Sequence, residues 1–113
     1  RTGRESSAGR DAGMTRGRSI RSSRSRHVPE ISRFFGIVIR MYFLDHEPPH
    51  FHASYSGNEA KIRIAPIGLL AGHLPPHALA LVIEWATLHE EELLENWRRI
   101  RSDQPVEKIA PLE

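Results

Sequence analysis

The sequence contains no cysteine, which excludes disulfides, a thiol nucleophile and cysteine-based zinc fingers. It has no apolar run approaching the ~20 residues that a membrane-spanning helix needs, so a small soluble, cytoplasmic protein without a membrane partner is the expectation. A glycine-rich phosphate loop, a Gly-x-Ser-x-Gly nucleophile turn and a DNA-reading helix signature are also missing, removing several large enzyme and regulator classes. At 113 residues there is room for one domain.

Residues 1–27 lack what a core requires. Ile20 is their only large aliphatic residue, among much Ser and Gly, and eight Arg stand against Glu5 and Asp11. Such a stretch buries too little apolar surface to offset the entropy of ordering it, so a disordered Arg/Ser-rich leader is expected. Its eight bases and two acids give +6, whereas the eight bases and twelve acids of residues 28–113 give −4. The basic pI therefore says little about the folded part. Globular composition begins at Val28, and a GTG start codon is read as Val inside a longer frame. The leader is thus expected to be upstream translation, with a true start near Val28. A nucleic-acid-binding arm and a transit peptide are the alternatives.

Residues 28–113 form a single α+β domain in this reading. Residues 36–44 (GIVIRMYFL) are β-branched and aromatic and predict a strand, with Ile37, Ile39, Met41 and Phe43 on one side and Val38, Arg40 and Tyr42 on the other. Pro48 and Pro49 break it, because proline fixes φ and donates no ladder hydrogen bond. A second strand, HFHASY from His50, meets a turn at Ser56, Gly57 and Asn58, and a third, EAKIRIA, follows. From His77 to Ile100 the apolar spacing is helical. Glu90, Glu91, Glu92 and Glu95 precede Arg98, Arg99 and Arg101, a solvated face suited to i,i+4 pairing and to the helix dipole. Trp85 and Trp97 fall on the apolar stripe and are expected in the core. The predicted fold is a three-stranded antiparallel sheet, covered on its apolar side by a helical hairpin or one long helix.

The other side of that sheet collects Arg40, Tyr42, His50, His52, Ser54, Lys61 and Arg63. Cutting RNA without a metal requires one group to take the 2′-hydroxyl proton, another to protonate the leaving oxygen, and cations to stabilise charge on the phosphoryl group. Histidine serves both proton roles near neutral pH. The expectation is a metal-independent endoribonuclease, with His50, His52, Arg40 and Tyr42 catalytic and Lys61, Arg63, Ser54 and His46 binding substrate, and no cofactor. A metal site built on His46, His50 and His52, completed by Asp45, Glu47 or His89, is an alternative, opposed by Lys61 and Arg63 on the same face. A non-catalytic module that docks another small protein is the other.

VPEISRFFGIVIRMYFLDHEPPHFHASYSGNEAKIRI and LPPHALALVIEWATLHEEELLENWRRI together resemble a widespread small bacterial and archaeal family catalogued as a domain of unknown function. Its members begin Met-Pro-x-Ile, where this chain has Val28, and carry DHxPPHFHA. His46, His50, His52, Arg40, Trp85, Glu92 and Trp97 fall on its motif positions. The resemblance implies the toxin half of a toxin–antitoxin pair with a small antitoxin-like partner, while RNA as target comes from the chemistry of the sheet face; a homodimer is left open.

Overall fold

In the computed structural model, residues 28–113 are described, and the leader expected over 1–27 lies outside them. Five strands rather than three form one antiparallel sheet, each hydrogen-bonded to the next in chain order: β1 (Glu30–Phe34), β2 (Ile37–Arg40), β3 (His50–Tyr55), β4 (Asn58–Ile64) and β5 (Ile67–Gly72). Two helices, α1 (Pro76–Leu88) and α2 (Glu90–Arg101), follow, separated by His89 alone.

The hairpin turns show why the strands pair in this order. Phe35 and Gly36 have φ of 51° and 80°, and Ser56 and Gly57 have φ of 51° and 84°. Two successive positive φ values make the two-residue turn whose twist matches that of the flanking strands. They set Phe34 opposite Ile37 and Tyr55 opposite Asn58.

Where the sheet departs from expectation, the cause is local. The first expected strand stops at Arg40, because the chain leaves the ladder before Leu44, which sits at φ 63°, and enters the Pro48-Pro49 connection. Tyr42 and Phe43 are therefore loop residues. β1 escapes an alternation test because a bulge between Glu30 and Ser32 turns both Ile31 and Ser32 inward. β5 is an edge strand of small and half-buried residues with no clean period of two.

The apolar sides of the sheet and both helices meet in one core. Ile37, Ile39, Phe51, Ala53, Ala60, Ile62 and Ile64 from the strands are buried with Val82, Trp85, Leu93, Trp97 and Ile100 from the helices, as the strand parities and helical spacing predict. Trp85 lies 5.3 Å from the Phe34 ring and 5.9 Å from that of Phe51. Its indole N–H donates to the Ala110 carbonyl at 2.8 Å, and buried Asn96 brackets the Glu107 backbone at 2.8 and 2.9 Å. Ile109 N–H also donates to Ile31 carbonyl at 3.0 Å, so the C-terminal tail is fastened to both helices and to β1. In α2 the expected charge pattern holds: acids fill the first turn, bases the last, and Glu95 pairs with Arg98 and Arg99.

Candidate functional site

Cross-strand register decides which polar side chains are neighbours. Arg40 of β2 lies opposite His52 of β3, which lies opposite Lys61 of β4. Directly opposed residues share a face with Cβ atoms about 5 Å apart, so this row puts a guanidinium and an ammonium on either side of one imidazole. The next row holds Val38, Ser54 and Glu59, and His50 lies opposite Arg63. Shallow depressions of about 340 and 250 Å³ flank the row; Arg40, Ser54 and Glu59 line the first, and His52, Glu59 and Lys61 the second.

The loop between β2 and β3 folds onto the end of that face. Asp45 Oδ2 lies 2.8 Å from His50 Nε2 and 3.3 Å from His52 Nε2. The other ring nitrogens are also engaged: His50 Nδ1 with the Pro48 carbonyl at 2.8 Å, and His52 Nδ1 with Glu59 Oε2 at 3.1 Å. Tyr42 reaches the face from the loop, its ring 4.2 Å from that of His52 and its hydroxyl donating to Glu59 Oε2 at 3.4 Å. Behind the cluster, Trp97 of α2 lies 5.2 Å from the His50 ring, and Arg101 lies over Trp97 while pairing with Glu47 at 2.8 Å.

These contacts set the charge states. Burial pushes the Asp45 carboxyl up, but the His46 N–H, together with hydrogen or positive charge at the two imidazoles, outweighs it and holds the group below the ordinary carboxylate range. Burial, reinforced by Glu59, raises the Tyr42 phenol. It therefore stays protonated at neutral pH and donates.

The residues singled out from the sequence fall into distinct settings. Arg40, His52, Ser54 and Lys61 share the open face. His50 has the same strand parity but is only 2% exposed, because the loop and Trp97 cover it. Arg63 is held at the β4–β5 turn, its Nε donating to the Pro66 carbonyl at 3.0 Å. His46 is exposed and engages Asp45 through its backbone N–H. The possible metal-ligating group among the described residues is Asp45, His50 and His52. That corrects the triple histidine set: the loop turns Asp45 inward and His46 outward. Glu59 was missed altogether, although it has the parity of Lys61 and so stood on the polar face from the start.

Residues 36–98, more than half of the chain, match a family described as a domain of unknown function, DUF4160. The chain belongs to this family. No curated protein and no solved structure matches it. The DUF4160 match spans β2 through most of α2, and so contains the whole cluster and the cationic row. Among the described residues no helix is long and apolar enough to cross a membrane.

Proposed function

We propose that this DUF4160 protein acts on RNA phosphodiesters in the cytoplasm as the toxin half of a toxin–antitoxin pair, and that a small antitoxin-like protein restrains it. The observation that carries the reading is the Arg40–His52–Lys61 row. Two permanent cations about one residue's width from a central imidazole match a bridging phosphate, whose charge grows as the bond to oxygen breaks. Glu59 fixes the His52 ring through Nδ1, as an orienting carboxylate does for a general base. Depressions on both sides leave room for the chain to continue past the reacting phosphate. With no cation bound, His52 takes the substrate proton at Nε2 by giving up its contact with Asp45. His50, buried behind it, supports the ring from below.

Expression of the full chain from a tightly controlled promoter tests this reading. The wild type is expected to arrest growth and fragment cellular RNA, while Arg40→Ala/Lys61→Ala and His52→Ala, at equal soluble levels, lose at least tenfold of that effect. Normal growth and intact RNA with abundant soluble wild type would refute it and favour the non-catalytic docking module.

A further inference from the structure

The Asp45 cluster presents a hydrogen-bonding problem that its own residues do not solve. A carbonyl oxygen only accepts, so His50 Nδ1, 2.8 Å from the Pro48 carbonyl, carries the hydrogen. A neutral ring then has a lone pair at Nε2, and that atom faces Asp45 Oδ2, which also has only lone pairs, at 2.8 Å. His52 faces carboxylates at both nitrogens, Glu59 Oε2 from Nδ1 at 3.1 Å and the same Asp45 Oδ2 from Nε2 at 3.3 Å, so a neutral ring leaves one of the two contacts without a hydrogen. With that hydrogen on Nδ1, three electron-rich atoms converge at Asp45 Oδ2. A positive charge belongs between them.

With both carboxylates ionised, protons satisfy all four ring-nitrogen contacts only as two imidazolium ions around one carboxylate oxygen. Their ring centres are 5.2 Å apart, and one ring is 2% exposed. Like charges that close, one of them buried, are costly. A single dication satisfies all three atoms with both rings neutral.

We propose that Asp45, His50 and His52 bind a first-row divalent metal ion through Oδ2 and the two Nε2 atoms, with the Pro48 carbonyl and Glu59 holding the rings. The spacing fits. Ligand atoms at about 2.0 Å from an ion, at tetrahedral to octahedral angles, lie about 2.8–3.3 Å from each other, matching the two Asp45 distances. All three candidate ligand atoms lie within 4.8 Å of one another, and rotation of the rings closes the nitrogen–nitrogen edge. A metal-bound histidine typically donates its other N–H to a carboxylate or a backbone carbonyl, and here one ring has each. Two imidazoles and one carboxylate suit a borderline ion of the zinc, cobalt or iron(II) kind and leave positions for water or substrate.

The cations that argue against a metal are answered by position. Arg63 is turned to Pro66, and the Asp45 and Glu59 carboxylates, not Arg40 or Lys61, are the charged groups in contact with the His52 ring. With the ion bound, His52 is a ligand. In the phosphodiester reading, the ion would acidify a bound water, and the hydroxide left when that water gives its proton to solvent would take the substrate proton in place of His52, while Arg40 and Lys61 keep their roles. That last step rests on the proposed function; the metal site does not.

The test uses the full chain, purified without a histidine tag. Zn²⁺ binding is followed by calorimetry, metal content by elemental analysis, and Co²⁺ binding by its visible spectrum, with circular dichroism on every variant. One equivalent is expected. His52→Ala and Asp45→Asn, both at partly exposed positions, should lose at least tenfold in affinity. Glu59→Gln should lose about ten- to a hundredfold, and His46→Ala nothing. A folded wild type that takes up neither ion overturns the site, as does uptake that survives both His52→Ala and Asp45→Asn. RNA fragmentation by metal-free protein would remove the ion's part in the reaction and leave the proposed function standing; metal binding without RNA cleavage would keep the site and overturn that function.

Discussion

Gly72 ends β5 at φ 83°, against the backbone that carries Glu59. A Cβ there would lie 2.3 Å from the Glu59 carbonyl oxygen and 2.9 Å from Ala60 Cα. Those atoms are backbone of β4, which is paired to a strand on either side, and cannot swing aside like the end of a side chain. Gly57 supplies the control: its φ is 84°, and a Cβ would meet nothing within 4 Å. Both alanine variants incur the left-handed backbone cost of roughly 1–2 kcal/mol, and both recover some of it, about 0.4–1 kcal/mol, by narrowing the unfolded ensemble. Gly57→Ala should therefore lose about 1 kcal/mol. Gly72→Ala adds the overpacking of backbone on backbone, about 1–3 kcal/mol, for a total of about 2–4 kcal/mol. In a domain of ordinary stability, about 5–15 kcal/mol, that is a large fraction, and it corresponds to a melting temperature lower by on the order of 10–20 °C. Urea unfolding at 25 °C measures both, with a common m-value required before the midpoints are compared. Equal losses in the two variants would refute the close-approach reasoning. So would wild-type stability in Gly72→Ala.

Two further substitutions probe the tail and the central hairpin. Asn96 both donates to and accepts from the Glu107 backbone inside the core; Asn96→Ala should cost about 1–3 kcal/mol by leaving two backbone groups unpaired, and Asn96→Asp at least as much at neutral pH, since a carboxylate cannot donate to the Glu107 carbonyl. Denaturant midpoints check both, and an unchanged midpoint in Asn96→Ala would mean the tail is not held there. Ser56 occupies the first left-handed position of the β3–β4 turn, where asparagine before glycine is favoured, so Ser56→Asn should gain about 0.5 kcal/mol. A lower melting temperature in that variant would contradict the turn assignment.

How far the sequence alone leads is best judged residue by residue. Strand parity is a local property, and it placed Arg40, His52, Ser54 and Lys61 on one face, where the register puts them. Helical spacing likewise buried Trp85 and Trp97. Glu59 is readable by the same rule, two residues before Lys61 along β4, but nothing local marks it as the carboxylate that meets His52. The two missed strands were hidden by different physics: a bulge erased the alternation of β1, and an edge position removed the burial that would have marked β5. Asp45 and Asn96 belong to a third class. Whether Asp45 or His46 turns inward depends on how a proline-interrupted loop closes over the end of a strand. Whether Asn96 is a surface residue of α2 depends on a tail eleven residues later returning to meet it. Both outcomes are set by long-range closure, which no periodicity encodes. The residue that joins His50 to His52 was therefore the one the motif could not select. DHEPPHFHA offers three imidazoles and two carboxylates, and the turn chooses one carboxylate and two imidazoles from among them.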